Sequence, residues 1–141
     1  MSLITTRSRY GLRLLVELAE RGASGPVDLK TIAASQDIPE LYLAKLVVPL
    51  KAAGLLRAAR GAHGGYELAK PPRDIDLLAV VEVLEGRSSL LDCTAEPELC
   101  PRSGECRTLP VWKGLDKAVK DYLRGISVAD AARAPSLDYC I

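Results

Sequence analysis

Along the first fifty residues the apolar positions recur at helical spacing. Leu12, Leu15, Val16 and Ala19 follow i, i+3, i+4, i+7 and predict a first helix over Thr6–Arg21. The segment GASGP at Gly22–Pro26 ends it, and Asp28 is placed to cap a short second helix carrying Leu29, Ile32 and Ala33. A turn at Gln36–Pro39 leads into a third helix with Leu43, Leu46, Val47 and Leu50 on one face, stopped by Gly54. Pro49 lies inside that helix, where it removes a backbone donor, so a tolerated kink near Lys45 is expected.

After Gly54 the period changes. Leu55–Ala59 and Tyr66–Ala69 read as two short strands joined by ARGAHGG, a loop with three glycines. KPPRD at Lys70–Asp74 forms a stiff boundary. A fourth helix follows, with Leu77, Val80, Val81 and Leu84 on one side. Gly86–Leu109 shows no regular pattern, and a loop that long is unusual unless a ligand orders it. Trp112, Leu115, Val119, Tyr122 and Ile126 then recur at intervals of 3, 4, 3 and 4, among Lys113, Asp116, Lys117, Lys120, Asp121 and Arg124. Such a seam either faces a core or pairs with another helix. Because the first half has a core of its own, pairing with a second subunit is expected.

Three helices followed by a hairpin make the winged helix-turn-helix arrangement; a generic α+β domain is the bland alternative. The fold class is mainly α with a small β-hairpin. Residues 1–70 form the winged helix-turn-helix region, and residues 71–141 a cysteine loop (86–109) and a dimerisation helix.

Composition fits an ordinary globular chain. The 141 residues are 48% hydrophobic and 26% charged, a mix that excludes disorder as the main state. With one Trp, five Tyr and no Phe, the core rests on aliphatic side chains, which suits helices. No apolar run reaches the roughly 18 residues of a membrane span, and no signal-peptide stretch opens the chain, so a cytoplasmic location is expected.

Charge is uneven. Residues 1–70 hold ten Lys/Arg against six Asp/Glu, whereas residues 71–141 hold nine against twelve. The basic half is the one to meet an anionic partner. In a helix-turn-helix unit the second helix enters the major groove of duplex DNA. Here that helix opens with Pro39–Lys45. Tyr42 has a hydroxyl for a phosphate or a base, while Lys45 and Lys51 neutralise phosphates. Leu41 either meets a thymine methyl or packs internally, and Ala44 offers no hydrogen bond. On the hairpin, Arg60 is placed for a narrow minor groove, and Gly61, Gly64 and Gly65 let the backbone approach phosphates closely. His63, the chain's one histidine, is a solvated tip residue, a phosphate contact or a metal ligand.

Cys93, Cys100 and Cys106 form a C-x6-C-x5-C pattern in the loop, with Cys140 near the terminus. In a reducing compartment clustered cysteines bind metal or do redox chemistry more often than they form disulfides. By spacing alone the three are a partial zinc site, a cluster site or plain thiols. Cys140 reads as a loose thiol. Catalysis is not expected, because His63 has no nucleophile pattern beside it.

The motifs YLAKL, AGLL, RGAHGGY and the following helix ending in EG resemble the signature of the Rrf-two family of regulators, which includes IscR and NsrR. SRYGLRLLVELA and WKGL match as well, so the resemblance runs over residues 3–130. It implies a homodimeric winged-helix repressor on a palindromic DNA operator, with Tyr42, Lys51, Arg60 and the wing glycines as contacts. It also implies an iron–sulfur cluster on Cys93, Cys100 and Cys106. The chain departs from the family at the fourth ligand: Leu109, Arg9 and Gln36 stand where different members carry theirs. Asp92, Glu96, Glu98, Glu105, Cys140, a partner residue, an exogenous thiol or water remain. An open iron favours a 4Fe–4S over a 2Fe–2S cluster. Two other readings stay open: a cluster-free repressor sensing through thiols or a partner protein, and an electron-transfer or scaffold protein that does not bind DNA.

Overall fold

The computed structural model describes residues 3–86 and 89–134; Cys140 lies outside them. Thr5 caps α1 (Thr6–Glu20), accepting the Arg7 backbone N–H. Asp28 caps α2 (Leu29–Gln36) by accepting the Thr31 backbone N–H at 2.8 Å. These N–H groups have no partner inside their own helices, so a side-chain oxygen there fixes where each helix starts. Asp37 closes α2 in the left-handed conformation and turns the chain into α3 (Glu40–Ala52). The helix runs without interruption through Lys45 and Pro49.

β1 (Leu56–Ala59) and β2 (Gly65–Leu68) pair antiparallel, with Arg57 opposite Glu67 and their side chains in an ion pair of 2.7 Å. Val27 lies on the far side of β2 as a one-residue third strand, exchanging backbone hydrogen bonds with Tyr66 at 2.9 and 2.8 Å. Gly65 allows this approach: its φ is +153°, and a Cβ there would lie 2.4 Å from the Val27 carbonyl.

α4 (Leu77–Glu85) starts on the Asp76 cap and stops at Gly86. Its Leu84 packs so closely on α1 that a Cβ at Gly11 would meet it at 2.2 Å. At its end, the Glu85 carboxylate accepts the Thr5 and Ser8 backbone N–H groups and both hydroxyls, the Ser8 hydroxyl at 2.6 Å. The segment expected to be patternless holds α5 (Asp92–Ala95) and a single 3-10 turn at Pro97–Leu99. Thr94 organises α5 by bonding back to Leu91, local chemistry that hydrophobic spacing does not report.

The long helix is α6 (Leu109–Arg124), and a further helix, α7 (Val128–Arg133), follows. α7 was not foreseen, yet Ser127-Val-Ala-Asp130 is a capping box in which each end residue accepts the other's backbone N–H. Val128 is fully buried, and its N–H reaches the Ile75 carbonyl at 2.8 Å. The core is therefore continuous across Lys70: Leu14, Leu15, Ile32, Leu43 and Leu50 pack in one cluster with Ile75, Val80, Leu84 and Val128.

Candidate nucleic-acid interface and cysteine loop

α3 divides cleanly. Leu43, Leu46, Val47 and Leu50 are buried, while Leu41, Ala44, Lys45, Val48 and Lys51 are exposed. Internal packing of Leu41 is ruled out by its 81% exposure; Val48, at 68%, shares that face. Tyr42 lies at the border, half-buried, its ring edge-on to Tyr10 at 5.5 Å between centroids. The Arg13 guanidinium sits over Tyr10 at 5.4 Å.

The α2–α3 turn is fixed from behind by a polar network. Glu17 is buried on α1 and accepts Arg21 at 2.8 Å and the Gln36 amide at 2.6 Å. Arg13 donates to both the side chain and the carbonyl of Gln36. Burying a carboxylate is costly unless it is paired and hydrogen-bonded, and Glu17 is both. Gln36 is thereby committed to holding the turn.

At the hairpin tip Arg60, Gly61, Ala62 and His63 are exposed, with Gly61 at φ +107°. His63 and Gly64 border a pocket of about 400 Å³ shared with Arg21 and Asp28. Gly64 and Gly65 have a conformational duty apart from any ligand, since a Cβ at Gly64 would lie 2.6 Å from the Ala59 carbonyl.

The three loop cysteines are half-buried and unpaired. Cys100 and Cys106 line one pocket of about 560 Å³ with Arg102, Glu105, Arg107 and Thr108; Cys93 sits on α5. The Cys106 thiol meets the Thr108 hydroxyl at 3.3 Å. That contact, then the Thr108 and Leu109 backbone N–H groups opening α6, and the charge of Arg102, hold its pKa below the ordinary thiol value. Among the described residues no three His, Cys, Asp or Glu converge into an arrangement that holds a metal ion. By donor type, three thiols on one loop suit iron–sulfur ligation. Of the other named candidates, Glu105 shares the pocket of Cys100 and Cys106, Leu109 is buried, Arg9 is exposed on α1, and Gln36 is engaged with Glu17 and Arg13.

The loop is tied to α6 by residues that the spacing did not single out. Asp116, 6% exposed, accepts the Leu90 backbone N–H at 2.7 Å and pairs with Lys120 at 2.8 Å. Lys120 also donates to Ser89 at 3.2 Å. Periodicity concealed this tie, because an Asp and a Lys four residues apart read as a surface pair. The apolar seam of α6 is partly bare: Val111, Trp112, Leu115 and Tyr122 are exposed, while Leu123, and Ile126 just past the helix end, pack on the core.

A helix pair packed on the core, its second helix exposed along one face, followed by a hairpin that Val27 joins, makes the winged helix-turn-helix fold of transcriptional regulators. The profile of the Rrf2 family, described as an iron-dependent transcriptional regulator, matches residues 4–134, and the chain belongs to that family. It is 41% identical over 134 residues to protein rrf2 of Nitratidesulfovibrio vulgaris, covering 95% of this chain and 89% of that one. The solved structure of CymR, the global cysteine regulator of B. subtilis, superposes with a TM-score of 0.79 at 35% identity, over 92% of this chain and 95% of CymR. The structure of T. potens IscR gives 0.75 at 36% identity, over 91% and 84%. These relatives are regulators rather than enzymes, in keeping with the expected lack of catalysis. No helix among the described residues is long and apolar enough to cross a membrane.

Proposed function

We propose that the chain is a homodimeric repressor of a palindromic operator whose DNA affinity is set by an iron–sulfur cluster on the cysteine loop. Residues 1–70 form the reading part and residues 71–141 the sensing and pairing part. In the reading part, Lys45 and Lys51 on α3 and Arg60 on the wing meet phosphates and the minor groove. Tyr42, held by Tyr10, presents its hydroxyl at the border, and Gly61, Gly64 and Gly65 shape the wing backbone. In the sensing part, Cys93, Cys100 and Cys106 would hold the cluster, with Glu105 in reach of the same pocket. Bound there, such a group supplies an oxidant-sensitive iron–thiolate centre. An open fourth position favours the 4Fe–4S form.

The observation that carries the switch is the Asp116–Leu90 bond, which roots the cysteine loop on the helix whose bare seam faces a second copy. Half-sites one helical turn apart, about 34 Å, tolerate little change in the spacing of two reading helices. A loop rearrangement felt by α6 therefore alters operator affinity, with a coupling of about 1–3 kcal/mol.

A cluster-free reading has one observation in its favour: Cys106 stands among groups that stabilise its thiolate, with Cys100 in the same pocket. Anaerobic purification separates the two. Brown protein with stoichiometric iron and sulfide, whose binding to duplex DNA weakens steeply with salt and changes when the cluster is removed, supports the switch. Colourless protein after reconstitution, with DNA binding intact, leaves the thiol sensor. Loss of salt-dependent DNA binding altogether leaves a scaffold.

A further inference from the structure

The exposed face of α3 has an unusual chemistry for a helix that reads DNA. Leu41, Ala44, Lys45 and Val48 follow i, i+3, i+4, i+7, the spacing at which a homeodomain's third helix presents its base-contacting side chains. Three of these four are apolar. Leu41 and Val48 are large aliphatic residues left in water, although the opposite face of the same helix fills the core with Leu43, Leu46 and Leu50. A lone exposed Leu is ordinary, but here the apolar positions form one stripe.

In the major groove each base edge presents hydrogen-bond donors and acceptors, and one apolar group: the C5 methyl of thymine. On the reading of α3 as the DNA-contacting helix, we infer that Leu41, Ala44 and Val48 are a thymine-methyl reading stripe. Lys45, the one polar residue of the four, stays with the phosphates. Leu41 and Val48 are two helical turns apart, about 10.5 Å, which matches about three base-pair steps. The exposed Lys45 and Lys51 on the same helix suit a polyanion better than an apolar protein groove. Operator half-sites should therefore carry thymines at fixed positions, specified by methyl contact.

Uracil pairs as thymine does and lacks the methyl, which makes the test isosteric. Duplexes bound by the full-length protein are selected from a randomised pool, then resynthesised with deoxyuridine at one thymine at a time. Affinity should fall roughly fourfold at each contacted thymine, the value of one buried methyl. Leu41→Ala and Val48→Ala, both at exposed positions, should keep the wild-type circular dichroism spectrum. Each should bind its thymine and uracil duplexes equally. Selected half-sites without thymine, or full uracil substitution without effect while salt-dependent binding persists, overturn the methyl reading and leave the DNA assignment standing. In that event the stripe is a protein-docking face. Failure to retain any duplex overturns both.

Discussion

The Asp116 carboxylate on α6 accepts the backbone N–H of Leu90 at 2.7 Å, so the long helix grips the chain three residues before Cys93. The second oxygen faces Lys120, whose ammonium also reaches Ser89. Asp116→Ala leaves the part-buried Leu90 N–H without its acceptor and should lower unfolding free energy by about 1 kcal/mol. Asp116→Asn keeps an acceptor for Leu90 and should lose less. Denaturant midpoints decide it; equal midpoints for wild type and Asp116→Ala would show that the tie contributes nothing.

Cys106 should react as a thiolate at a lower pH than an ordinary thiol. In cluster-free protein the rate of iodoacetamide alkylation at Cys106 rises with pH, and its midpoint should fall below the ordinary 9.0. The Thr108 hydroxyl is the leading cause, so Thr108→Val should move that midpoint upward. Peptide mass spectrometry over a pH series reads both shifts. An unmoved midpoint in Thr108→Val would assign the effect to the helix amides instead.

Glu85 gives the fold an acid-sensitive joint. Partial burial pushes its carboxyl up, but the hydrogen bonds from Ser8 and Thr5 together outweigh that and leave it below the ordinary 4.5. A depressed folded-state pKa stabilises the fold fully above the unfolded value and loses that contribution as pH falls through the folded one. Stability should thus decline below about pH 4.5, and Glu85→Gln should flatten that decline while being less stable at pH 7. Thermal unfolding of the two proteins between pH 3 and 7 tests the sign.

The bare seam of α6 predicts dimer loss on charge insertion. Leu115→Glu puts a carboxylate at the middle of the exposed stripe on each copy. Burying one leucine is worth roughly 1.5–3 kcal/mol, so two lost contacts weaken self-association by about a hundredfold or more. Sedimentation velocity should show monomers with unchanged helicity. Dimers persisting at micromolar concentration would move the interface elsewhere.

Periodicity located α1 to α4, which turn apolar positions to the core, and α6, whose stripe is largely bare; the change of period and the three-glycine loop marked the hairpin. Periodicity also placed Lys45 and Lys51 outside and Leu43 and Leu46 inside. Three features escaped it. α7 has small residues and a capping box where a longer helix would show a stripe. Val27 joins the wing through backbone bonds alone, and its signal is the left-handed Gly65 across from it. The network of Glu17, Gln36 and Arg13 spans two helices, so neither helix's own pattern contains it.

At the candidate site, the cysteines stood out by residue type, while their anchoring did not. Asp116 reads as a solvated acid until the fold lays Leu90 against it. Leu41 is ambiguous in sequence for a related reason: an apolar residue in the first turn, two positions before the buried Leu43, belongs to either face until the helix phase is fixed.

Fastening the cysteine segment at Leu90 and again at the start of α6 gives the protein a replaceable cartridge. The stretch between those two points contributes no side chain to the central cluster. Lengthening a loop whose ends stay fixed costs little, about 0.6 kcal/mol per doubling. Insertions, deletions and ligand changes can thus accumulate there while the reading head keeps its shape, so one ancestral frame could be refitted for different chemical inputs without relearning how to hold DNA.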